Sequence, residues 1–75
     1  MNVALLRELL TDKDLNSTVR VVGAYLLVAP EPQNSISLSA ELGLTGKTIT
    51  RATKALSEKG LIRRRNGVWM PEVHR

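Results

Sequence analysis

Residues 38–52 read Leu38-Ser-Ala-Glu-Leu-Gly-Leu-Thr-Gly-Lys-Thr-Ile-Thr-Arg-Ala52, and this stretch sets the architecture. Leu38, Leu42, Leu44, Ile49 and Ala52 are spaced so that two helices can pack nearly at right angles. Ser39 is the small residue at the crossing. Gly43 is a left-handed stop for the first helix, expected over about Leu38–Leu42. Thr45 caps the second, which runs to about Lys59 and stops at Gly60. That second helix turns Ile49, Ala52 and Leu56 inward, with Thr53 and Ala55 alongside. It turns Lys47, Thr48, Thr50, Arg51 and Lys54 outward.

Downstream, Leu61-Ile-Arg-Arg-Arg65 and Val68-Trp-Met70 flank Asn66-Gly67. Asn-Gly between two β-prone runs predicts a two-residue hairpin turn, because both turn positions need a positive φ. The register then sets Arg65 opposite Val68, Arg64 opposite Trp69 and Arg63 opposite Met70, and Pro71 ends the strand. Alternation puts two of the three arginines on one face and the third on the other, with Trp69. Trp69 is expected to pack on the core or lie across the hairpin against the Arg64 guanidinium.

Upstream, Asn2 is expected to cap a first helix with Val3, Leu6, Leu9 and Leu10 on one face, widened by Leu5. Thr11–Asp14 is a polar connector whose Asp12 and Asp14 read as caps and solvated charges. Asn16 caps a second helix that runs to about Ala29, with Val19, Val22, Leu26 and Ala29 at the helical period. Val21, Tyr25 and Val28 make it apolar on most sides, as expected of a central helix with Tyr25 in the core. Pro30-Glu-Pro32 ends it. Gln33–Ser37 is a polar link in which Ile36 points inward near a very short strand. The expected fold is mostly α with a small β-hairpin, in the order α-α-α-α-β-β. Residues 1–14 form a helix and connector, 15–71 the main domain and 72–75 a tail.

Taken together, the crossed helices, the following Ala55–Ile62 and the Asn-Gly hairpin resemble a winged helix-turn-helix domain. The MarR and GntR bacterial regulators carry such a domain, as do the initiator proteins of many plasmids and phages. The resemblance covers about residues 15–71. Ser39 stands where alanine is usual, and Gly46 is less helix-favouring than the usual residue. Within these 75 residues no effector domain or long dimerisation helix is expected beside it. The resemblance implies a double-stranded DNA partner, with Thr45, Gly46, Lys47, Thr48, Thr50 and Arg51 at the start of the recognition helix. In a major groove Arg51 can pair with guanine and the threonines can touch a thymine methyl or a phosphate. Lys54 lies further along, at phosphate. The wing, Arg63, Arg64, Arg65 and Asn66, can follow the backbone or enter a narrow minor groove.

The charge pattern agrees with a polyanion partner. Residues 1–42 carry three basic and five acidic side chains, and residues 43–75 eight basic and two acidic, for a net +4 over 75 residues. Three successive arginines repel one another unless something neutralises them. With no cysteine and a single histidine, His74 in the tail, thiol chemistry is excluded and histidine chemistry has little to work with, so neither an enzyme nor a metal or cofactor site is expected. Gly43-Leu-Thr-Gly-Lys-Thr48 looks like the end of a phosphate-binding loop. Glu41 stands where that loop needs its first glycine, so no nucleotide site is expected. No apolar run is long enough to span a bilayer, and Met1-Asn2 lacks the basic start of a signal peptide. The expected location is therefore cytoplasmic, at a bacterial nucleoid or plasmid. The leucines of residues 2–10 exceed one stripe, which suits either core closure or a homodimer contact. Three functions fit: a small transcription regulator that binds double-stranded DNA sequence-specifically, a plasmid or phage replication or partition protein or a domain of one, and a winged helix that docks another protein.

Overall fold

The computed structural model describes residues 3–29 and 31–72. The elements run α1 (Val3–Thr11), α2 (Ser17–Val28), α3 (Ser35–Leu42), α4 (Gly46–Glu58), β1 (Ile62–Arg65) and β2 (Val68–Pro71). The expected Asn2 cap, Pro30 break and His74 tail lie outside the described residues. The protein is mostly helical with one antiparallel hairpin, in the expected order. No described helix is long and apolar enough to cross a membrane.

The helix ends follow local chemistry. The Asn16 side chain accepts from the Val19 amide at the start of α2, and that of Thr45 from the Thr48 amide at the start of α4. Each satisfies a backbone donor that the first turn leaves open. At the end of α3, Gly43 adopts φ 67°, and its amide and that of Leu44 both donate to the Ser39 carbonyl. The Ser39 hydroxyl donates to the Leu44 carbonyl, so the small residue at the crossing also ties the turn. Asn66 (φ 53°) and Gly67 (φ 80°) form the hairpin turn, with Arg65 opposite Val68, Arg64 opposite Trp69 and Arg63 opposite Met70.

One core joins all these elements. Leu9, Val22, Leu38, Ile49 and Leu56 are its largest fully buried side chains, and Leu61 and Ile62 carry it to the root of the hairpin. Burying each such side chain contributes about 1.5–3 kcal/mol, before the entropy of ordering the chain. Gly23 lies where α1 and α4 meet α2. A Cβ there would come within 2.8 Å of Leu9 Cδ1 and 3.0 Å of Leu56 Cδ2. The glycine weakens α2 locally but lets its neighbours close in.

Several expectations are corrected. The inward stripe of α1 is Leu5 and Leu9, while Val3 (62% exposed) and Leu10 (46%) face outward. Val3, Leu5, Leu6, Leu9 and Leu10 offer two overlapping helical stripes, and the packing on Gly23 selects one. In α2, Val21 and Val28 are exposed, so its outer side is open. Tyr25 is half-buried at the edge of the core, with its hydroxyl 3.5 Å from a Glu41 carboxylate oxygen. The third helix starts at Ser35, not Leu38, because Asn34 and Ser37 form a reciprocal capping box. Ile36 thus falls in its first turn and is 81% exposed instead of inward. The strand-like contact is made by Gln33, three residues earlier: its amide and carbonyl pair with those of Trp69 at 3.1 and 2.7 Å.

Candidate nucleic-acid interface

On α4, Ile49, Ala52, Thr53 and Leu56 are buried, and the Thr53 hydroxyl donates to the Ile49 carbonyl at 2.9 Å. With that side anchored, Lys47, Thr50, Arg51 and Lys54 fall on the opposite side and are exposed. Lys47 and Lys54 are seven residues apart, about 10.5 Å along the axis. Among the described residues none of these three cations has an acidic partner within ion-pair distance. Thr45 and Gly46 are exposed, and Thr48 is half-buried. The Thr45 hydroxyl donates to the Thr48 hydroxyl at 2.9 Å, so these two threonines already satisfy one another. A Cβ on Gly46 would meet nothing within 4 Å, so packing does not demand a glycine at the head of this helix.

All of Arg63, Arg64, Arg65 and Asn66 are exposed on the hairpin, but their surroundings differ. Arg64 places its guanidinium carbon 5.7 Å from the Trp69 ring centroid, within cation–π range. Arg63 Nε is 3.9 Å from a Glu72 oxygen, a loose ion pair. Arg65, next to the turn, has no ion pair among the described residues. Trp69 itself packs against the core, which leaves it tied from two sides.

Two features lie beyond the sequence reading. Lys59, at the C-cap of α4, sits 3.1 Å from carboxylate oxygens of both Asp12 and Asp14. The aspartates expected to be caps and solvated charges thus also clamp the end of α4 to the α1–α2 connector. Asp12 in addition accepts from the Asp14 amide at 2.9 Å. That bond, then Lys59, lowers the Asp12 pKa; Asp14 and then Asp12 raise that of Lys59. The partners are more than forty residues apart, and no local pattern could have paired them. Second, Asn16 and Thr18 at the head of α2 line a cleft of about 160 Å³ with Thr48 and Arg51. The only sequence signal for it was the polar composition of that helix start.

Comparison with known proteins returns no match to a protein-family model, a curated protein or a solved structure. The functional reading therefore rests on the chain's own residues.

Proposed function

We propose that this chain binds double-stranded DNA as a winged helix-turn-helix protein, with α4 in the major groove and the β1–β2 hairpin as the wing. The observation that carries this reading is the outward side of α4, where Lys47, Arg51 and Lys54 stand exposed with no acidic partner among the described residues. A hairpin bearing three more arginines follows it directly. Arg51, with Thr50 beside it, reads base edges, and Lys47 and Lys54 neutralise phosphates. Arg65 and Asn66 form the leading edge of the wing. Arg64, stacked on Trp69, contributes its charge from a fixed position. The protein is a binding protein, not an enzyme, and acts in the bacterial cytoplasm on chromosomal or plasmid DNA.

One such unit reads about a half-site, so specificity calls for a second unit. Val3 and Leu10, left exposed on α1, supply an apolar surface for a homodimer. Selection from a random duplex library, with binding measured at two salt concentrations, tests the proposal. An enriched inverted repeat with salt-dependent affinity is the outcome for a dimeric transcription regulator. Direct repeats favour a replication or partition role. Failure to bind any duplex at low salt overturns the DNA reading and leaves a winged helix that docks a protein.

A further inference from the structure

Away from the cationic side of α4, Tyr25, Glu31, Gln33, Ser37 and Glu41 line a groove of about 390 Å³. Glu31 and Glu41 are exposed and form no ion pair among the described residues; Glu41 meets only the Tyr25 hydroxyl, at 3.5 Å. Burial first, and then the Glu41 and Glu31 carboxylates, raise the Tyr25 pKa. Exposed Val21 and Val28 lie on the same side of α2 as Tyr25, at i−4 and i+3. The groove is therefore an acidic slot beside an open apolar helix face.

The same chain carries the complementary group. Arg65 is exposed at the hairpin tip and has no ion pair among the described residues, whereas Arg63 has Glu72 and Arg64 has Trp69. It does not serve its own groove: Gln33 borders β2, and β1 lies beyond, two strand spacings or roughly 10 Å away. We propose that the Tyr25–Glu31–Glu41 groove receives the hairpin tip of a second copy of this chain, with Arg65 pairing to Glu41 and Glu31. Two exposed ion pairs contribute about 2 kcal/mol at most, so a roughly millimolar contact also covers the apolar Val21–Val28 face beside the groove, and DNA on the wing competes with it for Arg65. It is separate from the apolar α1 surface and does not depend on the DNA reading.

The test uses the whole chain without DNA, at roughly 1 mM protein and about 0.01 M ionic strength, where screening extends to roughly 30 Å. Translational diffusion and amide shifts are followed by NMR. The expected result is slower diffusion with rising concentration, shifts confined to the Val21–Val28 face of α2, the Glu31–Glu41 segment and the hairpin tip, and reversal at about 1 M salt. Arg65→Glu and Glu41→Arg lie at exposed positions outside the core. Each alone should diffuse as a monomer, and an equimolar mixture should associate again, because one variant keeps the groove and the other keeps the wing. A parent chain that stays monomeric overturns the proposal. So does association that persists in both single variants or at high salt, the latter being the behaviour of an apolar α1 dimer.

Discussion

At the head of α4, Lys47 and Arg51 face solvent without an acidic partner among the described residues; at its C-cap, Lys59 lies 3.1 Å from two aspartates. Both ends carry cations on one helix, anchored by the same row of buried side chains. They differ in who supplies the counter-charge. At the C-terminal end the chain supplies it from the α1–α2 connector, and the result is a clamp between segments far apart in sequence. At the N-terminal end nothing in the described chain supplies it, and the proposed role for those charges is external. Net charge alone would have counted Lys59 with the others.

The largest effect should come from removing what both ends share. Leu56 is fully buried and reaches the Gly23 position of α2. Leu56→Ala should cost about 2–5 kcal/mol in chemical denaturation. A chain this small has little stability in reserve, so the clamp and the basic face should disappear together. A cost well under 1 kcal/mol would mean that α4 is not held by this face, and the comparison between its ends would lose its basis.

Next in size is the contrast between Arg51 and Lys59. Arg51→Ala should weaken binding to the selected duplex by roughly 1–3 kcal/mol and relax preference at one base pair. Its thermal stability should stay within about 0.5 kcal/mol of the parent's, as for other surface changes. Lys59→Ala should do the reverse, lowering the melting temperature and sparing DNA affinity. Competition binding and thermal melts on the two variants decide the matter. Equal losses of affinity would make both residues plain phosphate contacts.

Much of this division was legible before the structure. Caps at Asn16 and Thr45, stops at Gly43 and Gly60, and the Asn66-Gly67 turn each rest on the chemistry of one or two residues, so α2, α4 and the hairpin register could be read directly. Lys47, Thr50, Arg51 and Lys54 follow from helical period once Ile49, Ala52 and Leu56 are taken as inward. What failed to show was of two kinds. One was competition between local signals: an apolar Ile36 drew attention from the Asn34–Ser37 box that starts α3, and α1 offered two stripes with no local reason to choose. The other was non-local. The Lys59 clamp and the pairing of Gln33 with Trp69 join segments whose separation no periodic pattern encodes.

The hairpin gives a smaller and graded effect. Replacing Arg63, Arg64 and Arg65 with alanine should flatten the dependence of log affinity on log salt, by about 0.9 for each phosphate no longer neutralised. Arg64→Ala alone should also alter Trp69 fluorescence, because the guanidinium leaves the ring face. An unchanged salt slope in the triple variant would take the hairpin out of the proposed DNA interface while leaving α4 in it.

The smallest effect is the pH signature of the clamp, and it separates two contributions that a melting temperature at neutral pH merges. The folded-state pKa of Asp12 is lowered from 3.8, so its contribution is fully present above that value and is lost as pH falls through the lowered one. The pKa of Lys59 is raised from 10.5, so its contribution is present below that value and is lost as pH rises through the raised one. Lys59→Ala should therefore abolish the alkaline loss that belongs to Lys59. It should only partly flatten the acid limb, because the largest cause at Asp12, the hydrogen bond from the Asp14 amide, survives the substitution. Melting curves of parent and variant below pH 3.8 and above pH 10.5 supply the comparison. If the two proteins differ equally at every pH, the lysine acts through its aliphatic stem, and the end of α4 is held by packing instead of by charge.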